Sequence, residues 1–168
     1  MELTPAYARL QGLLTEERCV ILDGGIATEV SRRVPPPEGD RDEPLWGTSA
    51  LMQAPDAVLD VHRSYVDAGC DVISTNTWGI ASALELDAQP GRTGLPLHWM
   101  DVARRGVRVG RQAIADGGRT SEVALAFSIS GDVENERKLQ TLALLTRVLS
   151  DDPPDLILLE TMTSSATR

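Results

Sequence analysis

Four short apolar runs, each breaking off at polar residues, constrain the fold of this chain more than any other feature. They are Cys19–Asp23, Asp71–Thr75, Glu122–Ser128 (extending into Ile129-Ser130-Gly131) and Asp155–Glu160. Between them, apolar residues recur at helical spacing. Asp56–Ala68 brings Val58, Val61, Tyr65 and Ala68 to one face. Leu97–Ala115 does the same with Val102, Gly106, Val109 and Ala113, and Val133–Leu149 with Leu139, Leu142, Leu145 and Leu149. Pro55 and Asp56 suit a first helical turn, and Gly69 a helix end. Apolar runs of this kind fit strands buried on both faces, as in a parallel sheet. Strands alternating with helices mean βαβ units with right-handed crossovers. Two α/β architectures accommodate them: a small doubly wound sheet, or the first half of a (β/α)8 barrel, whose full length is about 250 residues.

The rest of the chain is read around that frame. Met1–Glu17 has Tyr7, Leu10, Leu13 and Leu14 on one side, as a short helix covering the end of a core would. Ser31–Leu51 reads as a long connection, with three consecutive prolines and a charged stretch. Long connections are uncommon unless functional or disordered. Leu45-Trp46-Gly47 within it would serve as a lid over a site or as an anchor to the core. Gly106 and Gly110 weaken their helix unless it packs closely on a sheet. His62, next to a buried helix face, reads as a packing residue.

The 168 residues suffice for one domain, and 24% charged residues is an ordinary globular balance. A net charge of −9 argues against nucleic acid or an anionic membrane as a partner. No basic-then-apolar leader and no apolar stretch of about 20 residues is present. Two cysteines, Cys19 and Cys70, make no disulfide framework, so a reducing cytoplasm is expected. Both precede strands and read as buried structural thiols.

The polar groups share one address. Asp23, Thr75 to Thr77, Ser128 to Ser130 and Glu160 all stand at the carboxyl ends of strands. Parallel α/β structures bind ligands at that end. Gly24 and Gly25 permit a sharp turn and close approach of backbone to ligand. Free N–H groups at the start of the segment that follows favour a carboxylate. Asp23 and Glu160 would together hold an ammonium group. A carboxylate and an ammonium describe an α-amino acid. The plainer alternative is turn chemistry satisfied by Asn and Thr side chains. The three-glycine dinucleotide fingerprint, the P-loop lysine and the GxSxG elbow are absent.

Asp23-Gly24-Gly25 with Thr28-Glu29, then Leu45-Trp46, the helix with His62 and Tyr65, Ala68-Gly69-Cys70-Asp71-Val72-Ile73-Ser74-Thr75-Asn76-Thr77, and Leu159-Glu160-Thr161-Met162 resemble the homocysteine S-methyltransferase family. The most specific part is the Thr-Asn-Thr ending of the second strand. The resemblance implies a (β/α)8 barrel truncated to about four βα units. Residues 1–168 would be the N-terminal half of a homocysteine-binding domain, with no second domain. It implies methyl transfer to the homocysteine sulfur, giving methionine. Family donors include S-methylmethionine, S-adenosylmethionine, betaine and methyl-folate or methyl-cobalamin systems. Asp23 and Glu160 correspond to the substrate-binding acids, Gly24 and Gly25 to the carboxylate cradle, and Thr75 and Asn76 to the pocket lining. Trp46 would lie on the donor side. Ser128-Ile129-Ser130-Gly131 departs from the glycine-rich serine segment common in the family.

The family also implies zinc, held by three later cysteine thiolates that activate the sulfur. Those positions are not among these residues, so no catalytic or metal-ligating residue is assigned. The expectation is a chain incomplete for catalysis, with self-association or a complementary C-terminal half as partners. A zinc-free amino-acid-binding module or inactive remnant is the alternative, and a purely structural α/β domain the third reading.

Overall fold

The computed structural model describes residues 3–35, 46–82, 99–130 and 136–161. Three parallel strands form its sheet in the order β1 (Val72–Ser74), β2 (Ala124–Ser130) and β3 (Leu156–Glu160). Val72 pairs with Ala124, and Ala126 with Leu156. The first expected strand, Cys19–Asp23, is reduced to a single parallel bridge between Leu22 and Val72. Ile21 O accepts from Asp71 N and Val72 N, and Asp23 N donates to Val72 O. The physical reason is one-sided support: Ile21 and Leu22 are 56% and 45% exposed. The expected order of four parallel segments holds, and both Asp23 and Glu160 lie at the carboxyl end.

The helices are α1 (Pro5–Thr15), α2 (Ile26–Arg33), α3 (Trp46–Gln53), α4 (Pro55–Asp67), α5 (Trp99–Asp116) and α6 (Glu136–Asp151). A 3-10 turn spans Trp78–Ser82. Thr4 caps α1 by accepting from Tyr7 N, with Pro5 in its first turn. Gly69 ends the α4 turn at φ +95, a conformation that glycine adopts without strain.

Alternation along the strands divides the core. Ile73, Leu125, Phe127 and Ile129 face the helices and pack with Leu51, Val58, Val61, Val107 and Leu145. Val72, Ala124 and Ala126 face the other way, where Ala6 and Leu10 of α1 cover them. The glycines of α5 serve close packing. A Cβ on Gly110 would meet Leu125 Cδ1 at 2.5 Å, and one on Gly106 would meet Thr77 Cγ2 at 2.7 Å.

Acids tie the amino ends of the strands. Asp71 Oδ2 accepts from Ile21 N, and Asp155 Oδ2 from Leu125 N. From α1, Arg9 pairs with Asp71 at 2.8 Å and Thr4 donates to Asp155.

Four expectations are corrected. Ser31–Leu51 is not a connection throughout: α2 runs to Arg33 and α3 begins at Trp46, packed on α2, α4 and the 3-10 turn. Residues 36–45 lie outside the described residues. Leu14 and Leu139 are exposed rather than inward: α1 buries Ala6, Leu10 and Leu13, and Leu139 lies in the first turns of α6, ahead of the buried Leu145 and Val148. Cys19 is exposed, since it precedes a strand with no neighbour on its outer side among the described residues; Cys70 is buried as expected.

Candidate functional site

A cavity of about 440 Å³ opens at the carboxyl end of the sheet. Its lining includes Asp23, Gly24, Gly25, Thr75, Asn76 and Glu160, every substrate-side residue expected from the sequence. Leu22, Ile26, Ala27, Gly47, Ser74, Trp78, Ser128 and Leu158 complete it. Trp46 opens α3, but its side chain lies outside the described residues.

The two acids enter from opposite edges of the sheet, and each is held by a serine of the adjacent inner strand. Asp23 Oδ2 accepts from Ser74 N at 2.7 Å, and Ser74 Oγ lies 3.0 Å from Oδ1. Ser128 Oγ donates to Glu160 Oε1. Burial raises the Asp23 carboxyl to about 6; the Ser74 hydrogen bonds oppose this, and repulsion from Glu160 adds to it. Asp23 is therefore charged at neutral pH but close to titration, so an ammonium group between the acids would relieve their repulsion.

Gly25 stands at the N-cap of α2 and makes no side-chain cap hydrogen bond. Gly25, Ile26 and Ala27 line the cavity, so the start of the helix lies where an anion cradle would need it. The turn leaves no room for a side chain at Gly24, where a Cβ would lie 2.8 Å from the Tyr65 hydroxyl. Burial raises the Tyr65 pKa, with Glu29 and Asp23 adding to the effect, so its hydroxyl stays protonated. Gly24→Ala is expected to lower stability by about 1–3 kcal/mol through this overlap. Tyr65→Phe, which removes the clashing oxygen, is expected to restore part of it. Urea unfolding of the two single variants and the double variant measures the coupling; strictly additive losses would show that the contact is not the cause.

Thr75 and Asn76 line the cavity, but Thr75 Oγ1 and Asn76 Nδ2 are engaged within the protein. Asn76 Nδ2 donates to Gly47 O at 2.6 Å, strapping the start of α3 over the cavity. Thr75 and Thr77 bond each other and the Ser128 backbone. Trp78 forms a wall that sequence reasoning missed, its Nε1 donating to Thr161 Oγ1 at 3.2 Å. The available signal was its place directly after Thr-Asn-Thr.

A homocysteine S-methyltransferase family model matches residues 20–167. The chain belongs to that family. Among homocysteine S-methyltransferase relatives, the selenocysteine Se-methyltransferase of Brassica oleracea var. italica is 38% identical over 58 residues, 34% of this chain and 16% of that protein. Homocysteine S-methyltransferase 1 of Zea mays is 35% identical over 60 residues, 36% of this chain and 17% of that protein. The metallated homocysteine methyltransferase MmuM of Escherichia coli has the same fold, with TM-score 0.65 and 20% identity. That alignment covers 95% of this chain and 59% of the MmuM chain.

The family's zinc does not fit the residues described. Among them, no three His, Cys, Asp or Glu side chains are grouped to hold a metal ion. Cys19 and Cys70 precede the strands, at the end of the sheet away from Asp23 and Glu160. Also among the described residues, no helix is long and apolar enough to cross a membrane.

Proposed function

We propose that this chain binds the amino-acid end of homocysteine, as the substrate-holding part of a homocysteine S-methyltransferase. In this reading residues 1–168 are the N-terminal half of a (β/α)8 barrel domain. The observation that carries the reading is the convergence of Asp23 and Glu160 on one cavity beside the uncapped start of α2. The acids would take the ammonium group and the Gly24-Gly25 turn the carboxylate. The sulfur would then extend toward the open side of the cavity, where a methyl donor such as S-methylmethionine or S-adenosylmethionine would meet it. Trp46 would flank that donor. The product would be methionine, made in a reducing cytoplasm, a compartment supported by the two free cysteines.

Binding rather than turnover is the property these residues support, since the described donors do not build a zinc site. Calorimetry with homocysteine is expected to show saturable binding by the unmodified chain. Asp23→Asn and Glu160→Gln should each weaken it at least tenfold, the effect of losing a charge-assisted contact. Equal binding by all three proteins would remove both acids from the site.

A further inference from the structure

The ladder between β1 and β2 has its last Cα pair at Ser74 and Ala126, followed by Thr75 N donating to Ala126 O at 2.8 Å. Ala124 and Ala126 turn their backbone groups toward β1, and by strand alternation Ser128 does too. At that level β1 has already ended. A buried N–H and C=O left unpaired there would be costly.

Threonine side chains replace the missing strand. Ser128 N donates to Thr75 Oγ1 at 3.1 Å, and Thr77 Oγ1 donates to Ser128 O at 2.8 Å. The two hydroxyls also bond each other. Thr77 has given its proton to the carbonyl, so Thr75 must donate to Thr77. The result is a closed ring of three hydrogen bonds. All three residues are 1% exposed or less. The ring leaves one group of Ser128 unspent, its hydroxyl, and this donates to Glu160 Oε1.

We propose that Ser128 is a positioning residue, locked by the Thr75–Thr77 ring so that its hydroxyl aims the Glu160 carboxylate at the ammonium group of the substrate. The inference rests on the amino-acid reading above and adds a residue that acts through Glu160. It assigns Thr75 to the support of Ser128 rather than to ligand contact. The sequence reason for Thr-x-Thr is then structural: two hydroxyls two residues apart reach the N–H and the C=O of one residue on the neighbouring strand.

The test compares homocysteine with 4-sulfanylbutanoate, the same molecule without its amino group. The unmodified chain is expected to prefer homocysteine at least tenfold. Ser128→Ala is expected to reduce that preference about tenfold while leaving affinity for 4-sulfanylbutanoate unchanged. Ser128→Cys, which keeps the shape at a somewhat larger size and weakens the donor, should fall between. In a Glu160→Gln background, Ser128→Ala should cost nothing further. Equal weakening of both ligands, an intact preference, or a full additional loss on top of Glu160→Gln would each overturn the positioning role. An unmodified chain without preference for the amino group would instead overturn the amino-acid reading, and the role of Ser128 with it.

Discussion

At micromolar concentration the 168-residue polypeptide is expected to sediment as dimers and larger species, and a variant with Ile157→Lys and Leu159→Lys largely as a monomer. The cause is the outer margin of the sheet. β2 is buried on both faces over nearly its whole length, whereas β3 alternates between half-buried and exposed. Ile157 and Leu159 are 47% and 51% exposed although they pair with Phe127 and Ile129, which are buried. The opposite margin repeats the pattern at Ile21 and Leu22. Apolar margins with unpaired backbone recruit further strands. Fully burying a large apolar side chain contributes roughly 1.5–3 kcal/mol; these four are already about half-buried, so covering them adds about 3–6 kcal/mol, which reaches the lower end of a typical folding free energy of about 5–15 kcal/mol. The net charge of −9 opposes association, but over a range of only about 8 Å at physiological salt. A complementary half would dock on the same margins. Sedimentation at several concentrations is the check, and a monodisperse monomer of the unmodified chain would refute the idea.

The second large effect is concealed in the parent protein. Asp23 titrates near 6 in the fold against an ordinary 3.8, and burial lowers His62 to about 4 from 6.5. His62 is fully buried, and neither ring nitrogen has a hydrogen-bond partner among the described residues. The two linkages have opposite signs. Between pH 3.8 and 6 the native state holds a proton on Asp23 that the unfolded chain has released, so stability falls as pH rises. Between pH 4 and 6.5 the unfolded chain holds a proton on His62 that the native state refuses, so stability falls as pH drops. At about 1.4 kcal/mol per pH unit, His62 is worth on the order of 3 kcal/mol. Half-buried Asp23 is worth somewhat less, on the order of 2 kcal/mol after screening by water. Their contributions to the profile therefore nearly cancel between pH 4 and 6. Asp23→Asn should expose a loss of stability toward acid, and His62→Leu a gain. Chemical denaturation across that range measures both slopes; two variants with parallel profiles would contradict the assignment.

The strand-helix alternation was legible because periodicity depends on each segment alone. The runs ending at Asp23 and Glu160 could be placed at one end of a parallel sheet without knowing how the strands pair. What depends on neighbours could not be read. Cys19–Asp23 has the composition of a strand, but with a partner on one side only among the described residues it keeps a single bridge. Helix α3, Trp-Gly-Thr-Ser-Ala-Leu-Met-Gln, carries little amphipathic signal and is held by packing and by the Asn76 strap. Leu139 has helical spacing with Leu142 and Leu145, yet spacing does not reveal where the partner surface ends. Ser74 and Ser128 are ordinary strand residues by composition. Their hold on the two acids exists only because adjacent strands bring them within reach.

The ties at the amino ends of the strands have a consequence for redesign. Asp71, Asp155 and α1 hold that end through contacts that involve no residue of the cavity. The register of the sheet is thereby set from one end, while recognition is confined to the other. Segments at the carboxyl end beyond the sterically tight Gly24-Gly25 turn, such as the start of α3, are open to exchange for other sequences without disturbing how the strands align. The molecule is built like a tool with a fixed handle and a replaceable head. A different amino-acid ligand would be sought by recasting those segments around Asp23 and Glu160, with the first fifteen residues left untouched.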